Sequence, residues 1–563
     1  RPAGRPVDTL HVAPPPATLD HTPLVAAPPA ADGEMRYRLL ETVGEYAAER
    51  LAEAGERAAA ERRHLVHFRE LARTTGPTMR GSGQRAAIAV IRREYENLRT
   101  AHRHAVAARD EHEALCLVLS LSWYWMLRDL RSDARQWAEA AGSLGPDPFA
   151  RPGVQAPSLT EQAIDRPPPW DDDQLAEARR GAALMQVAGV DDTISAWADD
   201  EGQKRLRIVA DAYRPGQPQT CRMPGTFWMY AVMLTGDMDR TREALDATVR
   251  TSRAHGYEWE LAAALQLRAN FLAGHSGHAD LARVDADESL EIFTRLDDDW
   301  GTAEALASRG EANERSGHFS QALADYGTAV DYARKIGARS QVALLRARYA
   351  GPLAELGRLP EAEAVLREVC EGDRSPNPES VAIARMHLAF VLGAQGRTAE
   401  AREQVDMISA RLTSGDVAVF DGFVFGMLAW LDNLEAEYAS ALGNALTALR
   451  CSRERLSAMI APQMSSAHLT AIARALAGLA TAGEAGPGAY TDAVRLLGLQ
   501  AALLPPGHVP TMIERRNLAE AEEAGRVGLD EAAYTRAYEE GGGLTLDEAT
   551  ALAEAYRSTP PPT

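Results

Sequence analysis

An all-α fold, in which helical hairpins stack one on the next behind a small strand-and-helix module, is what three observations in this sequence predict. Small residues recur at a fixed step: Thr241, Ala282, Ala322, Ala362, Ala401 and Ala441 are separated by 41, 40, 40, 39 and 40 residues. Each recurrence lies in the same local pattern of helix, glycine turn and helix. In EALASRGEANERSGHFSQALADYGTAVDYARKIG (304–337), Gly310 stands where a partner must approach closely and Gly317 marks the turn. Finally, 45% hydrophobic residues over 563 positions supply a substantial core and exclude wholesale disorder. A hairpin that cannot bury its apolar face alone buries it against its neighbour, so a period this regular reads as a repeat array.

In chain order, residues 1–60 read as a strand hairpin followed by a helix. Pro14, Pro15, Pro16, Pro23, Pro28 and Pro29 oppose helix early on, while PLVAA (23–27) can form a short strand paired with Met35–Leu40. In RYRLLETVGEYAAERLAEAGE, Arg36 to Leu40 alternate polar and apolar, and Val43, Tyr46, Ala47, Arg50, Leu51 and Ala54 then fall at helical spacing. Residues 61–141 read as a helical connector broken near TTGPTMRGSG (74–83), and 142–169 as a proline-dense linker or wrapped loop. Asp171, Asp172 and Asp173 gather at a helix start, where acids complement the positive helix end, so they read as a cap and not a metal site. The array occupies 170–503, and 504–563 form a helical cap with a disordered tail.

The charge balance, 60 Lys+Arg against 80 Asp+Glu for a net of −20, disfavours nucleic acid or anionic membrane as a partner for the bulk of the chain. No run of about 18 apolar residues is present to span a bilayer, and the N-terminus lacks the regions of a signal peptide. The expected location is cytoplasmic. The missing initiator Met raises the expectation that the chain is a piece of something longer. Cys116, Cys221, Cys370 and Cys451 form no C-x-x-C pair and read as free thiols.

Candidate sites are few. Lys204 and Lys335 are the only lysines and neither lies in a glycine-rich phosphate loop, so no nucleotide hydrolysis and no cofactor is assigned. Ser82 and Ser276 lack a nucleophile elbow. HSGH (275–278) with Asp280, and His64 with His67, contain ligand-type residues but no defensible ligand set, and read as a turn and a polar helix edge. The cluster Trp123, Tyr124, Trp125 and Trp137 is the one candidate ligand or interdomain surface, against the plainer reading of core. From Arg36 to Asp110 there are 15 Arg, no Lys and 10 Asp+Glu, read as a solvated face with salt bridges or, more sharply, a dock for an acidic partner such as the array.

The small-residue and glycine-turn pattern resembles tetratricopeptide repeats, with a longer interval than their roughly 34 residues. That resemblance implies a right-handed superhelix. RYRLLETVGEYAAERLAEAGE, REYENLRTAHRHAV (93–106), LSWYWMLRDLRSDARQWAEAA (121–141) and AYEEGGGLTLDEATALA resemble the AfsR/SARP group of actinobacterial STAND-type regulators. In that group the opening stretch implies the end of a winged helix, followed by a tetratricopeptide-like sensor.

The expectation from this resemblance is a signal-sensing, protein-interaction region of a transcriptional regulator. Its array binds a ligand or protein effector and modulates an upstream nucleotide-dependent switch and DNA-binding domain. Its partners would be other domains of the same regulator, DNA only through domains outside this chain, no membrane, and a possible second copy of itself. The alternatives are a stand-alone tetratricopeptide scaffold and a LuxR-type large ATP-binding regulator, which is disfavoured because LTLDEATALAEAYRSTPPPT holds one helix and no helix-turn-helix. An enzyme ranks last, since no acid/base pair, nucleophile or metal set is defensible.

Overall fold

The computed structural model describes residues 25–26, 38–39, 41–150, 153–188, 197, 199–274, 278–372, 378–410, 418–454, 457–458, 461, 463–505 and 507–557. The remainder of the expected strand hairpin, Ser276 with most of HSGH, and the tail beyond 557 lie outside the described residues. Val25–Ala26 (β1) pairs antiparallel with Arg38–Leu39 (β2), Val25 opposite Leu39. Among the described residues, all other regular structure is helical.

Helices α1 (Glu41–Glu53), α2 (Arg57–Thr75), α3 (Gln84–Ala107), α4 (Glu111–Arg128), α5 (Arg131–Gly142), α6 (Asp172–Ala188) and α7 (Asp200–Asp211) make an N-terminal block. The hairpins follow: α8 (Trp228–Leu234) with α9 (Met238–His255), α10 (Glu258–Ala273) with α11 (Ala279–Arg295), and α12 (Asp299–Arg315) with α13 (Phe319–Lys335). Then come α14 (Arg339–Glu355) with α15 (Leu359–Glu371), α16 (Pro378–Ala394) with α17 (Thr398–Ser409), and α18 (Ala418–Leu434) with α19 (Tyr438–Ser452). Helices α20 (Met464–Thr481) and α21 (Gly488–Leu503) form the last pair, and α22 (Met512–Gly528), α23 (Glu531–Gly541) and α24 (Leu546–Glu554) end the described chain.

The recurring small residue has one structural meaning. Thr241, Ala282, Ala322, Ala362, Ala401 and Ala441 are each the fourth residue of a second helix, and each has no exposed surface. A larger side chain there would push the two helices of the hairpin apart. Gly310 plays the complementary part: a Cβ on it would lie 2.9 Å from the Tyr326 ring, which is buried between α12 and α13.

In two successive hairpins an arginine on the first helix ties the unit to its predecessor. Arg268 donates bidentately to Asp285 at 2.7 Å on its own second helix and to Asp246 at 2.9 Å on the previous one. Arg309 repeats this with Asp325, at 2.6 and 3.1 Å, and Asp287 at 3.2 Å. Paired and fork-shaped, these bonds fix register where apolar contact alone would allow sliding.

The connector and the array are not separate bodies. One apolar cluster runs from Leu65 of α2 to Ala305 of α12, and α6 packs on α4 and α5. The expected boundaries at 141 and 170 therefore do not divide the core. The proline-dense stretch is wrapped onto this body and is no spacer. Phe149, Ala156 and Ala163 are buried, Ala156 N donates to Ala212 O at 2.8 Å, and the Gln219 amide both accepts from Leu159 N and donates to Pro157 O. Asp171 caps α6 by accepting from Gln174 N at 2.9 Å.

The turns inside the hairpins need a left-handed residue. Gly236, Gly317, Gly357, Gly396 and Gly483 provide it at φ of 69 to 80°, but in the α18–α19 turn the place is held by Ala436 at φ 62°. A Cβ costs roughly 1–2 kcal/mol in that conformation. Ala436→Gly is expected to raise stability by about 1 kcal/mol, and Gly357→Ala, where a Cβ meets nothing within 4 Å, to lower it similarly, both read from urea unfolding midpoints.

Candidate functional site

The aromatic cluster is closed. Trp123, Tyr124, Trp125 and Trp137 are each 5% exposed or less, because α4 is apolar on nearly every side and sits inside the block. Trp125 donates its indole N–H to Tyr95 Oη at 2.7 Å, Tyr95 donates to Asp133 at 2.6 Å, and His102 stacks on Trp137 at 4.6 Å. Burial holds His102 down at a pKa of about 4, so it stays neutral. Trp123 does meet the array: its ring lies edge-on to Trp259 of α10, at 5.0 Å, and to Trp300 of α12, at 4.6 Å.

Beside that contact lies a junction that the sequence did not announce. Asp298, 1% exposed in the turn before α12, accepts four hydrogen bonds. Gly301 N is its own helix cap at 2.7 Å, Trp259 Nε1 comes from α10 at 2.8 Å, and Gly81 N at 2.7 Å and Gln84 Nε2 at 3.2 Å come from the block. Arg80 lies over Trp259 and pairs with Glu260 at 3.1 Å, and Arg85 reaches Asp299 at 3.4 Å. One repeat farther along, Ser340 donates to Asp129 at 2.7 Å and Arg128 donates to Gly337 O at 3.1 Å. The arginine-rich stretch is thus spent partly on the array and partly on the block's own acids, as in Arg69 with Glu113 at 2.6 Å.

His64 is half-buried against Phe68 and His104 while His67 is exposed, and His278 directly precedes α11. Ser82 is exposed beside Gly81. Among the described residues no group of three His, Cys, Asp or Glu is placed to hold a metal ion, and no helix is long and apolar enough to cross a membrane. Cys116 and Cys221 are buried free thiols pushed up to about 12 and about 11 by burial.

The first helices carry a further set of polar contacts. Successive first helices touch through polar pairs: Gln266 with Ser308 at 3.2 Å, Glu304 with Gln341 at 2.5 Å, Glu311 with Arg348 at 3.5 Å, and His387 with Ala347 O at 3.0 Å. Glu304, Glu311, Arg348 and His387 are half-buried, reached by water yet surrounded by protein. Burial raises Glu304 and lowers His387. Glu314, at the end of α12, is raised to about 7, chiefly by burial, and accepts a bond from Tyr326 at 3.1 Å.

Comparison with known proteins adds little. No family model matches the chain, and no curated protein does. Among solved structures, a monomeric mutant of IFIT1 with the capped RNA m7Gppp-AAAA is 11% identical, covering 76% of this chain and 91% of its own, with a TM-score of 0.34. A circular tandem repeat protein with novel repeat topology is 13% identical, covering 89% and 98%, with a TM-score of 0.13. Neither likeness, at such scores, carries an inference about this chain.

Two outcomes follow from the geometry. Asp298→Ala leaves buried donors unpaired and is expected to cost about 2–4 kcal/mol. Hydrogen exchange should then rise at 80–85 and at 298–302 together, whereas a rise confined to 298–302 would reduce Asp298 to a helix cap. Glu314 binds its proton more tightly folded than unfolded. Its contribution is fully present below its ordinary value of 4.5 and lost as pH rises through about 7. Glu314→Gln should therefore flatten the loss of stability between pH 5 and 8, measured by urea midpoints at each pH.

Proposed function

We propose that this chain is the protein-interaction and signal-sensing region of a larger regulator resembling the AfsR/SARP group, with the first-helix face of the array as its binding surface. The observation that carries the interaction reading is the register of the array. Hairpin after hairpin presents its first helix to the same side, and that side bears half-buried charged pairs which the core does not need. An extended surface of this kind suits a peptide or protein segment better than a small enclosed ligand.

The regulator reading draws on the resemblance at the opening stretch and on the rigid coupling of the block to the array through Asp298, Arg80 and Asp129. A sensor must bias something outside itself, and differential contact with two states of that element is the only way binding does so. The block is the natural lever, since the chain leading into it is where the resemblance puts the switch.

An antibody raised against this chain is expected to detect, in the source cell, a polypeptide distinctly larger than 60.8 kDa. In that polypeptide, Glu311→Gln with Arg348→Gln should change nucleotide hydrolysis about fivefold or more while leaving the unfolding midpoint in place. A band at 60.8 kDa would remove the regulator and leave a stand-alone scaffold.

A further inference from the structure

We propose that residues 507–516 are a strap that sets the angle between successive hairpins, tying three of them together along the edge opposite the N-terminal block. The device is built from contacts within the chain. Its test needs no partner and stands apart from the regulator reading.

Stacking alone leaves that angle soft. In a repeat array each unit touches only its neighbours, so curvature is the sum of small rotations at separate interfaces. A segment bonded to three consecutive units adds a constraint that reaches from the first to the third. Residues 507–516 supply one. Val509 lies against Gly317 in the α12–α13 turn, where a Cβ would meet its Cγ1 at 3.3 Å. At the end of α14, Met512 N donates to Glu355 Oε1 at 2.6 Å and Arg515 donates to Glu355 Oε2 at 3.0 Å. At the end of α16, Arg516 donates to Ala394 O at 3.1 Å.

The middle tie is the firmest. Glu355 has only 9% of its side chain exposed, and both of its oxygens are taken by the strap. Its carboxylate also meets the positive end of α22, which favours the ionised form. Ile513, between the two bonded residues, packs on the apolar cluster shared by α14 to α18, so the strap is seated as well as bonded.

The strap is itself stiff. Thr511 N donates to Glu514 Oε2 at 2.7 Å, Glu514 N donates to Thr511 Oγ1 at 3.2 Å, and Arg515 donates to Pro510 O at 2.5 Å. His508 Nε2 lies 3.5 Å from the same Glu514. A floppy tether passes no force between hairpins, whereas a capped helix start does. Beyond Arg516 the helix is anchored, with Ala521 and Gly525 buried, so the far end of the strap is fixed.

Position gives the device its use. The block holds the turns between hairpins at Asp298 and Ser340 on one edge, and the strap holds Gly317 and Glu355 on the other. The α12–α13 and α14–α15 hairpins are thus held at both edges. Between them lie Glu304 with Gln341 and Glu311 with Arg348. The spacing of these groups is set before anything binds, which lowers the ordering cost of binding there.

The test measures the distance between spin labels at Ser320→Cys and Ala399→Cys, exposed second residues of α13 and α17, in the full chain carrying Cys370→Ser and Cys451→Ser. With the strap in place the distance distribution should be narrow. Glu355→Gln with Arg515→Ala should speed amide exchange at 511–516 roughly tenfold or more while α20 and α21 stay protected, and the distribution should broaden. Ile513→Asp, which removes the apolar seat, should do the same and keeps the test open if the polar variant leaves the strap in place. An unchanged distribution with the strap amides released overturns the proposal, since stacking then sets the angle alone. Strap amides that exchange as slowly in both variants as in the unchanged chain overturn it too. Neither result bears on the mass of the native polypeptide or on whether the first-helix face binds a partner.

Discussion

Everything in this molecule depends on one contact repeated along the chain: a small, fully buried side chain on the fourth residue of the second helix in six successive hairpins. Ala282, Ala322, Ala362, Ala401 and Ala441 let paired helices approach closely, and Gly310 opposite Tyr326 shows the same need from the other side. Close approach is what makes each hairpin incomplete by itself. Its remaining apolar surface can be covered only by the next hairpin, so stability accrues by stacking. Arg268 and Arg309 then set the register between units with directional bonds that alanine cannot supply.

A stack of this kind has two long edges, and the chain uses its two ends to cover parts of both. The N-terminal block docks on the turns that lead from one hairpin to the next, at Asp298 and again at Gly337 and Ser340. The segment leading into α22 touches the turn at Gly317 through Val509, Arg516 of α22 reaches the end of α16 at Ala394, and α22 then packs on the last pair, α20 and α21. The two edges differ in chemistry. At the block, a nearly inaccessible carboxylate and interlocked indoles make the join costly to open. Along α22, partly exposed ion pairs join its start to α14 and α16, and Ala521 is fully buried in the final core cluster.

The half-buried charges on the first-helix face belong to the same division. Glu311 with Arg348 and Glu304 with Gln341 lie between hairpins, where either relative motion of the units or an arriving side chain alters their partners. Such groups contribute little to holding the stack.

The sequence by itself determined the helical class, the 40-residue step, the residue that marks it and the capping role of Asp171, because each depends on neighbours within a few residues or on a period that survives as a pattern of sizes. It also singled out the aromatic cluster as a surface or a piece of core without deciding between them, since whether Trp123 faces water or Trp300 depends on residues about 180 positions away. Only the tertiary structure decided that Asp298 is a junction, that the proline-dense stretch is wrapped onto the body, that Arg80 serves Glu260, and that α22 turns back along the array. Nothing local distinguishes Asp298 from any other helix cap, or ERRNLAEAEEAG from any other amphipathic helix. Their meaning comes from the curvature and stacking of hairpins that bring distant turns within hydrogen-bonding reach.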